Sequence, residues 1–317
     1  MGMKKLLFFP LCALALSIPA LSQSARRQSP PQQVDQWHLQ HHPFDNPNLP
    51  VKQRIDNLLS LMTLQEKIDC LGVSTGVPRL GVPNIGSSEG IHGLVQRGGR
   101  GRSAITTTQF PGPPAMGATW DPALVRAAAG VEGYEARYIT QTPKYNRQIL
   151  SVWGPQSDLA RDPRWGRVEE VYGEDPFLDG TMAVAYSRGL EGDNQKYWQA
   201  EPLLKHFLAN ENETDRQRSS SNFDERLFWE YYSVPFRMAF LEGGAKSVMA
   251  SYNAWNGIPM DINPILRSIL IDQWGVDIVS SDGGAVTELI VVPPNGLDLL
   301  ADGVNKRLEF SDSIRRM

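Results

Sequence analysis

Apolar residues recur at helical spacing from Val51 through Ile55, Leu58, Leu59 and Met62, and the Thr63/Glu66 pair that follows has the form of a capping box. Three further helices are predicted where a capping residue precedes proline, at Asp121-Pro122, Asp175-Pro176 and Asn263-Pro264. A fourth is predicted from Asp224 toward Gly243-Gly244. Between them lie short apolar runs that each end in polar residues: Gln148 to Pro155, Pro202 to His206, Ala245 to Tyr252 and Val276 to Asp282. These read as buried strands, with a first one near Gly81 to Gly86.

Strands of this kind alternating with helices predict a parallel α/β fold, either a (β/α)8 TIM-like barrel or a doubly wound sheet. No glycine fingerprint follows a strand, and Gly98-Gly99-Arg100-Gly101 sits in a polar stretch, so the barrel is favoured. Six or seven strands can be counted before the chain ends, and the barrel is therefore expected to be incomplete at its C-terminal end. Residues at the carboxyl ends of barrel strands face the active site. That rule gathers Trp153 to Asp158, Lys205-His206, Ser251 to Asn253 and Ser281-Asp282 on one rim.

The N-terminus changes the domain picture. Lys4 and Lys5, the apolar run Leu6 to Ile18 and the small residues up to Ala25 read as a signal peptide over 1–25, so that an exported, periplasmic or extracellular protein is expected. The run falls short of the ~20 residues that span a bilayer, and no membrane association is expected after its removal. A flexible leader is expected over 26–47 and the barrel over 48–317.

Composition narrows the functions. The 317 residues are 41% hydrophobic and 21% charged, too apolar for a disordered chain, and 31 basic residues against 35 acidic leave no excess to neutralise nucleic acid. Cys12 and Cys70 are the only cysteines, too few for a disulfide framework or a four-thiolate zinc site. His38, His41 and His42 lie in or beside the leader and read as a solvated segment, so no metal and no cofactor are expected.

Singly, the polar residues of the rim have ordinary structural explanations. Asp282 suits a helix cap, His206 a satisfied core histidine, and Arg161, Arg164 and Arg167 surface ion pairs. Together, with Trp153, Trp165 and Trp255 as flat apolar faces, they suit a polyhydroxylated ligand, whose hydroxyls need fixed partners and whose ring faces are apolar.

The same residues carry a family resemblance. Arg161-Asp162-Pro163-Arg164-Trp165-Gly166-Arg167, Tyr172-Gly173-Glu174-Asp175-Pro176, Lys205-His206-Phe207, Ser251-Tyr252-Asn253 with Asn256-Gly257, and Ser281-Asp282 together resemble glycoside hydrolase family 3 over roughly Asn48 to Asp298. The segment Ser87-Ser88-Glu89-Gly90-Ile91-His92-Gly93 is similar to that family's second-strand substrate loop. The resemblance implies a retaining β-glycosidase acting on a β-linked oligosaccharide or glycoside, with Asp282 as nucleophile and Glu89, Arg167, Lys205 and His206 holding hydroxyls of the sugar. It further implies that Tyr252 orients the nucleophile, with Asp158 and Arg161 in support. A nucleophile has to remain ionised, and Lys205 and Arg167 are the cations this reading sets beside it.

The chain departs from the family pattern in three places. Two-domain members take the general acid/base from an α/β sandwich domain after the barrel, which this sequence does not reach, so a fragment is expected and the acid is unassigned. The branch that supplies an Asp-His acid is disfavoured, because Leu208 to Ser221 contains no histidine. Gly283 follows the nucleophile where many β-glucosidases have Trp, and Glu89 stands where they have Asp, as in β-xylosidase-like members. A β-D-glucosyl substrate is the leading expectation and a β-xyloside the alternative. A truncated sugar-binding barrel and an aldolase using Lys205 are the readings from other classes.

Overall fold

In a computed structural model of the chain, residues 42–72, 75–98, 103–194 and 197–285 are described, together with the backbone of 299–300. The signal segment, most of the leader with His38 and His41, and the C-terminal 301–317 lie outside the described residues.

The strands are β1 (Ser87–Glu89), β2 (Ser151–Gln156), β3 (Glu201–Phe207), β4 (Ser220–Ser221), β5 (Ser247–Ala250), β6 (Ala254–Trp255), β7 (Ile258–Pro259), β8 (Ile278–Ser281) and β9 (Leu299–Leu300). Six of them form one parallel sheet in the order β1-β2-β3-β5-β8-β9, and β4, β6 and β7 form a small separate sheet. The order of the large sheet follows the chain without reversal, whereas a doubly wound sheet turns back at a switch point. The fold is thus of the barrel type, in agreement with the alternation of the sequence.

The helices are α1 (Val51–Leu61), α2 (Leu64–Asp69), α3 (Pro113–Gly117), α4 (Pro122–Gln141), α5 (Pro176–Glu191), α6 (Glu225–Leu227) and α7 (Val234–Leu241). The caps expected from sequence are present. Thr63 and Glu66 close a capping box on α2, Asp121 accepts from Ala123 N at 3.0 Å, and Asp175 accepts from Leu178 N at 2.7 Å. Helix α5 packs between α4 and α7, and small residues permit the approach on both sides. A Cβ at Gly189 would lie 2.4 Å from Arg126 O on α4, and one at Gly180 would lie 2.5 Å from Met238 Sδ on α7.

Two buried clusters hold the helices to the sheet. One joins Val125, Ala129 and Ala136 of α4 to Val152 of β2 and to Met182, Tyr186 and Leu190 of α5. The other joins Leu204 and Phe207 of β3 and Val248 of β5 to Phe228, Phe236 and Trp274. Phe207 meets Phe236 edge-on at 5.1 Å between centroids, a geometry that adds about 0.5–1.5 kcal/mol to the area it buries.

Three expectations are corrected. The first strand is Ser87–Glu89 rather than 81–86, because Gly81, at φ 72°, ends a 3-10 turn and the Asn84 side chain binds the amides of Thr75 and Gly86, which makes this stretch a turn. The helix after Asp224 is not continuous: Asp224 caps α6, Phe228–Tyr232 winds as a π-helical turn, and α7 restarts beside Pro235, which has no N–H to donate. The helix after Asn263-Pro264 is also wound as π over Leu266–Ile271. Among the described residues no helix is long and apolar enough to cross a membrane.

Candidate functional site

Parallel strands that start in register bring their carboxyl ends to one side. Glu89 ends β1, Lys205 and His206 lie near the end of β3, and Asp158, Tyr252 and Asp282 come one or two residues after β2, β5 and β8. Residues separated by long stretches of sequence therefore meet at one rim.

Lys205 Nζ donates to Glu89 Oε2 at 2.6 Å, with the lysine side chain 4% exposed and the glutamate 45% exposed. The buried ammonium is thus held by a carboxylate that stays half exposed. The buried ring of His206 lies between two carboxylates: its Nδ1 is 3.0 Å from Asp158 Oδ2, and its Nε2 is 3.5 Å from Asp282 Oδ2. Arg167 sets both terminal nitrogens 3.3 Å from His206 Nε2, reaches Gln156 Oε1 at 3.1 Å and makes a two-pronged pair with Glu170 at 2.8 and 2.7 Å.

A guanidinium can only donate, so Nε2 of His206 presents its lone pair and the ring proton sits on Nδ1, directed at Asp158. Burial, with Arg167 and Lys205 nearby, holds His206 well below the usual histidine range, so the ring is neutral. Burial also pushes Asp158 up to about 7, opposed by Arg167 and by the amides of His206 and Asn210 that it accepts from. Burial acts the same way on Glu170, but its bond and charge pairing with Arg167 prevail and leave it lowered.

Asp282 is partly buried. Gly283 N donates to its Oδ1 at 2.6 Å. Beneath it is a cavity of about 140 Å³ lined by Trp153, Leu203, Met249, Ser280 and Ser281 among others. Tyr252 reaches the backbone rather than the carboxylate: its hydroxyl donates to Gly283 O at 2.6 Å, and its ring lies 4.2 Å from the Arg216 guanidinium.

The other sequence-derived candidates divide between the site and its surroundings. Lys205 and Arg167 are engaged with Glu89 and Glu170, and among the described residues the basic group within ion-pairing reach of Asp282 is His206. Arg161 lies over the Tyr232 ring at 5.3 Å, and Arg164 is 88% exposed and paired with Asp162. Of the three tryptophans, Trp153 lines the cavity, Trp165 is buried with its indole N–H on Glu213, and Trp255 stacks on Phe223 and Phe228. Gln156, Glu170 and Glu211 were not singled out from sequence. Glu170 follows Arg167 at i+3, a pairing distance that could have flagged it. Burial and the neighbouring Asp158 push Glu211 up to about 8. Among the described residues no group of three His, Cys, Asp or Glu is arranged to hold a metal.

Comparison with known proteins places the chain in a family. The family model described as the glycosyl hydrolase family 3 N terminal domain matches residues 49–298. A β-glucosidase of Rhizobium radiobacter is 35% identical over 78% of this chain and 30% of its own length, and a xylan 1,4-β-xylosidase of Xylanibacter ruminicola is 33% identical over 78% and 29%. Among solved structures, a family 3 exo-β-xylosidase in complex with a xylobiose aziridine probe superposes with a TM-score of 0.76 at 26% identity, covering 88% of this chain and 39% of that one. β-Glucosidase 3B of Thermotoga neapolitana in complex with α-D-glucose gives 0.72 at 26% identity, covering 83% and 39%. The chain spans about a third of the length of the relatives it matches. It belongs to glycosyl hydrolase family 3, and its described residues are those of the family's N-terminal domain.

Proposed function

We propose that this chain carries the sugar-holding and nucleophilic part of a retaining β-glycosidase. In the first step an Asp282 oxygen attacks the anomeric carbon as the bond to the leaving oxygen breaks, and a general acid supplies that oxygen with a proton. In the second, water attacks the same carbon, giving up a proton to the conjugate base and releasing Asp282. Glu89 and Lys205 hold sugar hydroxyls, as do Arg167 and His206, and such bonds accelerate the reaction where they tighten as the ring flattens. Tyr252 steadies the backbone beside the nucleophile, Asp158 supports His206, and Arg161, over the Tyr232 ring, is proposed only as a more distant support. The general acid is not assigned among the described residues. The observation that carries the reading is the convergence of Asp282, His206, Lys205 and Glu89 at the carboxyl ends of three parallel strands.

The substrate proposed first is a terminal non-reducing β-D-glucosyl residue. A β-xyloside is the second reading, favoured by the xylosidase relatives and by the longer Glu89 side chain at the hydroxyl-binding position. The run at 1–25 is proposed as an export signal. Incubating the purified chain with 2,4-dinitrophenyl 2-deoxy-2-fluoro-β-glucoside and the matching xyloside, followed by peptide mapping, tests the proposal. The good leaving group removes the need for the acid, and the fluorine lets the glycosyl-enzyme accumulate. A stable adduct on Asp282 is expected, and the faster reagent names the sugar. No adduct from either reagent with a folded chain, or an adduct elsewhere, would sink the assignment.

A further inference from the structure

Behind the Glu89 turn lies a second, wholly buried polar group that the proposed chemistry does not use. Glu132, in the middle of α4, is 1% exposed. The hydroxyl of Tyr186, on α5, is 2.7 Å from Glu132 Oε2 and 2.9 Å from the carbonyl of Gly90, the residue that follows Glu89. The approach is close: a Cβ at Gly90 would stand 3.0 Å from Glu132 Oε2, and one at Gly154 would stand 2.4 Å from Gly90 O.

A proton count decides what this contact is. The phenol owns one hydrogen and faces two oxygens. A carbonyl only accepts, so the hydroxyl hydrogen that holds Gly90 O cannot also serve the carboxyl. Both contacts are hydrogen bonds at once only if the carboxyl is protonated and donates to the phenol oxygen; an ionised carboxyl would take the hydroxyl hydrogen and leave Gly90 O without it. The surroundings favour that form. Burial pushes Glu132 up to about 7, against the Tyr186 hydroxyl and the Gly93 amide, which favour ionisation, and with Glu135 of the same helix opposing it. Facing it from the other elements are Tyr172, whose buried hydroxyl has no partner among the described residues, and Glu89 beyond Gly90. Lys205 is bound to Glu89, and no cation acts on Glu132 itself.

We propose that Glu132 is a positioning residue that works as a neutral acid: its hydrogen bond to Tyr186, and that of Tyr186 to Gly90, fix the turn that aims Glu89 at the sugar, so that ionisation of Glu132 releases the turn. The role of Glu89 rests on the function proposed above, but the state of the turn does not. Loss of the proton puts a charge with no cation beside it in a buried layer and makes the phenol choose between two acceptors, and the carbonyl of Gly90 is the weaker of them.

The test reads the turn directly. Hydrogen exchange of the Gly90 and Val95 amides, which bond Trp153 O at 3.3 Å and Glu89 O at 3.0 Å, is compared between about pH 6 and about pH 8 in the intact chain, in Glu132→Gln and in Tyr186→Phe. Glutamine keeps the shape and a donor but cannot ionise. Protection in the wild type is expected to fall at least about ten-fold across this range, to stay constant in Glu132→Gln, and to be low at both ends in Tyr186→Phe. Unchanging protection in the wild type, or the same fall in Glu132→Gln, overturns the proposal. The pH dependence of Asp282 labelling in the same proteins should follow the exchange. A wild type that never labels but shows the exchange pattern would overturn the glycosidase reading and leave Glu132 as the holder of the turn.

Discussion

His206 Nε2 and Asp282 Oδ2 stand 3.5 Å apart with the histidine ring held neutral, so the two groups face one another as acceptors. They do not form an ion pair. On the function proposed above, a sugar hydroxyl bound beside the pair would donate its proton to one of them. Arg167, which can only donate, keeps the ring in this tautomer from one side and Asp158 from the other.

Asp158 is the more vulnerable of these supports. Replacing it with Ala removes the acceptor of the Nδ1 proton and of two backbone amides in a dry site. Loss of a charged hydrogen-bond partner costs about 1.5–3 kcal/mol, which corresponds to a fall of about ten- to a hundred-fold in the rate of Asp282 labelling. Mass spectrometry against time measures it, and an unchanged rate would show that the His206 tautomer does not depend on Asp158.

Lys205→Met keeps the aliphatic stem but removes the charge beside Glu89. Transition-state binding is expected to weaken by about 1.5–3 kcal/mol, read as the ratio of labelling rates, while circular dichroism stays that of the wild type. A variant that labels as fast as the wild type would assign Lys205 to the fold alone.

Stability should carry the signature of Glu132. Its carboxyl is raised from 4.5 to about 7, so between these values the folded chain holds a proton that the unfolded chain has released. Its stabilising contribution is complete at acid pH and is lost as pH rises toward about 7, by about 3 kcal/mol in all. Urea unfolding of the wild type and of Glu132→Gln over this range should show the wild type losing ground to the variant as pH rises, and parallel curves would refute it.

Gly189→Ala tests the packing of α5 on α4. The added methyl would meet Arg126 O at 2.4 Å and Ala129 Cβ at 2.7 Å, and neither can withdraw without moving a helix. A loss of about 1–3 kcal/mol in the urea unfolding free energy is expected, with the helix content of the native state retained.

The strands were legible because each buried run is short, continuous and closed by polar residues, and the rim residues are those closing groups. Glu89 was found through its motif even though the strand it ends was set several residues too early. A proline and two apolar residues at 82–85 imitate a strand, and only the Asn84 side-chain bonds reveal the turn. The π-helical turns left no mark in the apolar spacing. Glu132 was missed because a glutamate in a helix reads as a solvent-facing residue. The buried positions of α4 are Val125, Ala128, Ala129, Glu132, Gly133, Ala136 and Ile139, and its place in that stripe was the available signal.

The central position of β3 has a kinetic consequence. Lys205 and His206, neighbours in the chain, bond to Glu89 and Asp158, partners 116 and 48 residues away. The contact to Glu89 closes the longer loop, more than the pairing of β2 with β3 requires, and its entropy has to be met before the pair forms, so it is expected to form after those strands have paired. During refolding, secondary structure should return before the capacity to be labelled at Asp282.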